Sequence, residues 1–115
     1  MIAQDFSKID KDLSDLNFNK TLIPLEELNN SYPNNKDILL RLSITHHYLS
    51  EKAIQQKEDK ENAHKAFEYI DHAFSLNSVD PNVLKWYVIA LGKTVEEESI
   101  RMQIEQSKNL SLIHI

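Results

Sequence analysis

The sequence contains no cysteine, one glycine and three prolines among its 115 residues. Without cysteine the chain can form neither a disulfide framework nor a thiolate metal site, which fits a cytosolic or nuclear setting. The scarcity of glycine and proline leaves few residues for tight turns and disfavours a many-turned β fold. No apolar run approaches the roughly 20 residues of a membrane-spanning helix, so we expect no membrane insertion by this segment.

Basic residues are fewer than acidic ones. Thirteen Lys and Arg stand against 18 Asp and Glu, which gives a formal net charge of −5. Nucleic acids and anionic membranes attract basic surfaces, so we expect neither as a nonspecific partner. The opening residues 1–5 have no basic region and predict no secretory signal. A chain of this length is expected to form a single domain over residues 1–115.

The sequence is rich in apolar residues at helical spacing. Ile2, Phe6, Ile9, Leu13 and Leu16 recur every three or four residues and predict a first amphipathic helix. Further helices are predicted over residues 20–31, 36–57, 61–76 and 81–92 and after residue 94. The inward positions predicted for the last helix are Ile100, Ile104, Ser107, Ser111 and His114. The predicted fold is therefore all-α, with six helices in three antiparallel pairs.

The run from Asp80 to Gly92 is the most apolar part of the chain and holds its only tryptophan. Asp80-Pro81 is typical of a helix start, because Asp accepts a bond from a free N–H and Pro needs no partner there. This helix is apolar over much of its circumference, so we expect it to be the innermost helix of the stack. The residues from Thr94 to Glu97 have the form of a capping box and predict the start of the last helix.

Internal spacing indicates a helical repeat. Tetratricopeptide repeats are 34 residues long, with a small residue in the first helix. Ile9 and Ser43 occupy the corresponding first-helix position and lie 34 residues apart. Ala90 follows Ser43 by 47 residues, which implies an insertion of 13 residues and an extended second hairpin. Ala66 and Ala73 fit the small positions of a second helix. The pattern predicts tetratricopeptide-like repeats over residues 2–35, 36–80 and 81–115.

The segment Leu84-Lys-Trp-Tyr-Val-Ile-Ala-Leu-Gly92 resembles a His-Lys-Trp-Tyr-Ala-x-x-Leu-Gly motif of the regulator of microtubule dynamics family. The similarity continues through Ile100-x-x-Gln-Ile104 to Leu112-Ile-His-Ile115, which resembles the family's Lys-Glu-His-Ile. Leu40 stands where the family has Trp, and the family continues beyond the His-Ile pair with further helices. The resemblance implies tetratricopeptide-like repeats and association with microtubules or the spindle, and some animal members act at organelle contacts. It brings no catalytic motif.

Candidate catalytic and metal-binding residues are few. His64, Glu68 and His72 lie four residues apart, a spacing that a metal site could use, but a solvated polar face is the favoured interpretation. His46-His47 could form a pH switch. The favoured interpretation is that His46 packs between helices. No Gly-rich loop, nucleophile elbow or apolar carboxylate pair is present. We therefore expect no enzymatic activity and no cofactor.

The concave face of the predicted repeats is the candidate binding site. Its expected lining residues are Asp37, Leu40, Arg41, Ile44, His47, Tyr48, Leu84, Tyr87 and Leu91. A carboxylate-clamp groove is rejected, although Arg41 holds a clamp-like position, because Phe6 and Asp10 stand where Lys and Asn are required. The predicted groove is apolar and aromatic, which suits an amphipathic helix or an extended peptide. The chain's own last helix and a second copy of the chain are equally compatible occupants.

The expected function is that of a noncatalytic protein-interaction module, associated with microtubules or the spindle in the cytoplasm. Tubulin has an acidic surface, so a chain with net charge −5 would need a local basic patch or another protein to reach it. The alternative is a general tetratricopeptide adaptor that binds a helical peptide in its groove. An enzyme or a metal protein is the third and least favoured class.

Overall fold

A computed structural model describes residues 6–52 and 56–96. These residues form five α-helices and no strand: α1 (Ser7–Ser14), α2 (Phe18–Ser31), α3 (Lys36–Lys52), α4 (Gln56–Leu76) and α5 (residues 81–96). The predicted all-α class is confirmed. The predicted sixth helix lies outside the described residues, so the arrangement of six helices in three pairs is not confirmed.

Each helix packs on the next one in the chain. α1 packs on α2, α2 on α3 and α3 on α4. Helix α5 joins α3 and α4 through Val83 and Ala90, which share a buried cluster with Leu39, Ile70 and Ala73. The described chain is therefore a layered stack of helices, with its main apolar cluster enclosed by α3, α4 and α5.

Helix α3 is the innermost of the five described helices. Its buried residues are Ile38, Leu39, Leu40, Leu42, Ser43, Thr45, His46 and Ser50. The prediction that α5 lies innermost is wrong within the described chain, because α3 has α2, α4 and α5 around it. Helix α5 still exposes large apolar side chains, among them Val88 and Val95.

Helix α2 begins two residues earlier than the sequence predicted. Phe18 is its first residue and is only 2% exposed, so burial of this ring draws residues 18 and 19 into the helix. As a consequence Pro24 lies in the helix interior instead of the first turn. Proline there lacks the N–H that would bond to the carbonyl of Lys20. Pro24 and Lys20 are both exposed, so water has access to this face.

The helix bounds of the second hairpin, formed by α3 and α4, differ from the predicted ones. Helix α3 ends at Lys52 instead of residue 57, and α4 begins at Gln56 instead of residue 61. The two helices have 17 and 21 residues, against 8 and 14 for α1 and α2. Near the tip, the Ser50 hydroxyl donates to the Asp59 carbonyl oxygen at 3.0 Å and also to the Asp59 carboxylate. The tip of the hairpin is therefore held by polar contacts.

Small residues let α3 and α4 approach closely, as predicted. The Ser43 hydroxyl donates to the Ala66 carbonyl oxygen at 2.7 Å, and Ala66 and Ala73 are buried. His46 is a helix-packing residue, as expected: it is buried, stacks on Tyr69 at 5.6 Å, and its Nδ1 lies 2.9 Å from an Asn62 oxygen. Burial is the main reason that the pKa of His46 is lowered from its usual value.

Helices α3 and α5 start with the same cap. Asn35 Oδ1 accepts hydrogen bonds from the N–H groups two and three residues later, at 2.9 and 3.2 Å. Asp80 Oδ1 does the same at 2.9 and 3.4 Å, which confirms the predicted helix start. Since Asp80 lies 45 residues after Asn35, the two helices correspond at a spacing of 45. The predicted pairing of Ser43 with Ala90, 47 residues apart, is displaced by two residues.

The same spacing of 45 relates the buried faces of the two helices. Ile38, Leu42 and Thr45 of α3 face the preceding helix α2, where Thr45 Oγ1 lies 3.1 Å from the hydroxyl of Thr21. Their counterparts 45 residues later are Val83, Tyr87 and Ala90, which face the preceding helix α4. Corresponding positions in α3 and α5 therefore have corresponding neighbours.

The capping box predicted at Thr94 is absent from the described chain. Thr94 lies inside α5, and its hydroxyl donates to the carbonyl of Ala90 at 2.8 Å. A hydroxyl that bonds back by one turn belongs to a helix interior and not to a helix start. Gly92 also lies within α5, where no heavy atom lies within 4 Å of an added Cβ. The helix therefore passes through the position where the sequence predicted a break.

Candidate protein-interaction face

One face of α3 remains open between α1 and α5. Arg41 marks the side of α1, where its Nε lies 2.7 Å from Asp10 and its guanidinium covers the Phe6 ring at 3.8 Å. His47 marks the side of α5, where its ring meets the Trp86 ring edge-on at 5.4 Å. Each residue of a helix turns by about 100°. Asp37, Ile44 and Tyr48 therefore point between α1 and α5, and we call this the open face of α3.

Four rings form an aromatic platform at the end of the open face. Its members are Phe18, His47, Tyr48 and Trp86. Tyr48 stacks on Phe18 at 4.8 Å and meets Trp86 edge-on at 5.9 Å, while His47 meets Tyr48 at 5.2 Å. Tyr48 and Trp86 are only partly buried. The platform joins α2, α3 and α5, with Phe18 buried within it and Tyr48 and Trp86 supplying its partly exposed ring surface.

Charged side chains border the aromatic platform. Lys52 Nζ lies 4.8 Å from the centre of the Phe18 ring, and Lys85 Nζ lies 5.6 Å from that of Trp86. Both lysines are exposed. Glu51 also lies at this border, with its carboxylate 3.2 Å from His47 Nε2. Burial lowers the pKa of His47, and the neighbouring Glu51 carboxylate opposes that shift. The imidazole is therefore held towards its neutral form within this border.

An open cleft of about 440 Å³ continues from the platform towards the tip of the second hairpin. Its lining residues are His47, Glu51, Asp59, Val88, Ile89, Gly92, Lys93 and Glu96. Lys93 Nζ lies 3.2 Å from Asp59 Oδ1, so this pair ties α5 to the hairpin tip. The Ser50 hydroxyl and then Lys93 lower the pKa of Asp59. The cleft lining is mixed, because it combines three carboxylates with the aliphatic residues Val88 and Ile89 of α5.

The predicted lining residues on α3 lie on or beside the open face. Leu40 is only 8% exposed and belongs to the main apolar cluster, against which Ile44 also packs. Asp37 is half-exposed and lies 3.4 Å from Lys36 Nζ. His47 and Tyr48 are members of the aromatic platform. The structure therefore brings the predicted α3 residues together, although Leu40 contributes mainly to the core.

The predicted lining residues on α5 do not join that face. Tyr87 stacks on Phe74 at 4.6 Å and lies 5.9 Å from Phe67, so it packs between α4 and α5. Leu84 and Leu91 are exposed on a further side of the helix. The residue that α5 contributes to the platform instead is Trp86. The matching caps at Asn35 and Asp80 align α3 with α5, and this alignment would have predicted the position of Trp86 beside α3.

The histidines and carboxylates of α4 do not gather into a metal site within the described chain. Within residues 6–52 and 56–96 no group of three His, Cys, Asp or Glu side chains could hold a metal ion. His64 pairs with Glu68 at 3.1 Å, while His72 Nε2 lies 3.1 Å from Asn34. The four-spaced row on α4 is therefore divided between two separate polar contacts. In the same residues, none of the helices has the length and apolar content needed to cross a membrane.

The regulator of microtubule dynamics protein 1-3 family model matches residues 5–112. The match covers nearly the whole chain, so this protein belongs to that family, as the Lys-Trp-Tyr helix and the residues after it predicted. No curated protein and no solved structure matches the chain. The family name indicates a regulator of microtubule dynamics.

Proposed function

We propose that this protein is a noncatalytic protein-interaction module that acts at microtubules or the spindle in the cytoplasm. The observation that carries the proposal is the aromatic platform, which lies at a junction of three helices in a member of a microtubule-regulator family. Aromatic side chains supply large contact areas with few rotatable bonds and commonly dominate protein interfaces. The platform is therefore the surface proposed to contact the partner.

The charges around the platform suit an acidic partner segment. Lys52 and Lys85 stand at two borders of the rings, and each places its ammonium group over ring surface. The whole chain has net charge −5, so attraction to an acidic surface has to come from such a local group. An apolar or aromatic partner side chain would pack on the rings while neighbouring carboxylates approach the lysines. Glu51 would disfavour carboxylates at the third border.

The alternative function is a general adaptor that binds an amphipathic helix. It is favoured by the cleft, which continues from the platform and adds aliphatic surface from Ile89. A helix laid along the open face of α3 would place its apolar stripe over Ile44 and the cleft. In this alternative the partner is selected mainly by shape and apolar burial, and binding depends less on salt.

Co-sedimentation with purified microtubules at low and high salt tests the proposal. We expect the parent protein to sediment with microtubules, and to do so less at high salt because screening weakens the lysine contacts. Lys52→Glu combined with Lys85→Glu should abolish sedimentation. The control is Lys60→Glu combined with Lys65→Glu, which makes the same charge change at exposed positions of α4.

The outcomes separate the two functions. Loss of binding in both charge-reversed proteins would show a nonspecific charge effect and contradict the platform as the contact surface. Absence of sedimentation at either salt concentration would contradict direct microtubule binding and leave the adaptor function. Circular dichroism of each variant establishes that the helices remain folded.

A further inference from the structure

Helix α5 carries an apolar stripe that the described chain leaves uncovered. Its members are Leu84, Val88, Leu91 and Val95, which are 40%, 64%, 39% and 59% exposed. Their spacings of four, three and four place them on one side of the helix. Contiguous apolar surface of this kind is rarely left bare on a soluble monomer. The stripe lies roughly opposite Trp86, so it is separate from the aromatic platform.

The internal spacing of 45 assigns a role to the stripe. The positions 45 residues earlier are Leu39, Ser43, His46 and Ser50. These are the residues through which α3 binds the helix that follows it. Ser43 bonds to the Ala66 carbonyl, His46 contacts Asn62, and Leu39 shares the main apolar cluster with Ile70. The stripe is thus the α5 counterpart of the surface that α3 uses to bind α4.

We propose that the stripe binds residues 97–115 of the same chain, packed antiparallel to α5 in the register that relates α3 to α4. These residues lie outside the described chain and follow directly after the last described residue of α5. Four α4 residues that face α3 are Asp59, Asn62, Ala66 and Ile70. Their counterparts are Ile104, Ser107, Ser111 and Ile115.

The chemistry of the paired positions agrees with this register. Where α3 and α4 pair Ser50 with Asp59, the corresponding pair is Val95 with Ile104, so both members change from polar to apolar together. The Ala66 position is occupied by Ser111, which is also small, whereas its partner Ser43 is replaced by the larger Val88. Leu39 and Ile70, which share the main apolar cluster, correspond to Leu84 and Ile115, which are the same residue types.

Residues 97–115 are also long enough to cover the stripe. Leu84 to Val95 spans about 16 Å along a helix, at 1.5 Å per residue. The interval from Ile104 to Ile115 has the same length in residues, and the positions before it are available for the connection. An antiparallel helix over this interval would therefore cover the whole stripe.

Pairs of introduced cysteines test the register in the full chain, which has no cysteine of its own. Val88→Cys with Ser111→Cys is the first pair, and Val95→Cys with Ile104→Cys is the second. The control is Ile89→Cys with Ser111→Cys, because residue 89 is turned by about 100° from residue 88. After oxidation in dilute solution, free thiols are counted, and non-reducing electrophoresis with peptide mass spectrometry locates the disulfides.

Both test pairs should lose their two free thiols in an intramolecular disulfide, while the control keeps its thiols, since disulfides need closely apposed β-carbons. Disulfide-linked dimers would show that a second copy covers the stripe and would overturn the proposal. Retained thiols in both test pairs, with helix content unchanged by circular dichroism, would overturn it as well. The result does not depend on microtubule binding, so the proposed function and this register can fail separately.

Discussion

Replacing Tyr87 tests whether the aromatic contacts between α4 and α5 stabilise the fold. The Tyr87 ring packs against Phe67 and Phe74 of α4. Tyr87→Glu would remove two ring contacts and place a carboxylate among the apolar side chains of the main cluster. We expect the variant to lose stability, and not merely a partner.

The expected loss can be worked from the contacts. Two aromatic pairs contribute about 0.5–1.5 kcal/mol each. Half of the burial of a large apolar side chain adds about 1 kcal/mol. The sum, about 2–4 kcal/mol, is a large part of the 5–15 kcal/mol that typically stabilises a domain. It corresponds to a melting temperature lower by at least about 8 °C for a chain of this size.

Thermal and urea unfolding, followed by circular dichroism, measure the loss. The matched control is Tyr32→Glu, which makes the same substitution at an exposed position in the turn between α2 and α3. If Tyr87→Glu unfolds no more easily than Tyr32→Glu, the ring contacts with α4 do not stabilise the fold. Tyr87 would then be a surface residue, as the sequence predicted.

Two further predictions concern the core. Ala73→Leu should destabilise the fold by about 1–3 kcal/mol through overpacking, while Ser75→Leu at an exposed position of α4 should change the melting temperature little. Thermal unfolding of both variants checks this, and equal small effects would contradict the close approach of α4 to its neighbours. Burial lowers the pKa of His46 in the folded chain. As the pH falls, the unfolded chain therefore binds a proton at His46 at a higher pH than the folded chain does. The free energy of unfolding should fall as the pH drops below the usual histidine pKa of about 6.5. Urea unfolding between pH 7.5 and 5.5 should show a weaker pH dependence for His46→Gln than for the parent, and identical slopes would contradict the assignment.

Much of the fold follows from local sequence. The three- and four-residue spacing of apolar residues predicts helices, and the Asp80 cap places the start of α5 correctly, because a cap needs only the next three residues. Ala66 and Ala73 mark a close helix contact by their size alone. The family was also predictable, since the Lys-Trp-Tyr helix and the residues after it resemble its motif.

Helix ends that depend on distant contacts were not predictable in the same way. Phe18 draws the start of α2 forward by burying its ring against Tyr48, which is 30 residues away in the chain. The described α3 ends at Lys52 and α4 begins at Gln56, each five residues before the predicted position, and Ser50 and Asp59 meet between the two helices. Thr94 has the local pattern of a cap, yet α5 passes through it. Local patterns alone do not exclude a continuing helix at such a position.

The face that each helix presents was decided by the tertiary structure. The sequence aligned α3 and α5 at a spacing of 47, whereas their matching caps give 45. Two residues turn a helix by about 200°. The displaced alignment therefore assigned Leu84, Tyr87 and Leu91 to the partner face, while the structure places Trp86 beside Tyr48. Periodicity determines that a helix has an apolar side, but only its neighbours determine which side meets them, because several stripes of α5 are apolar.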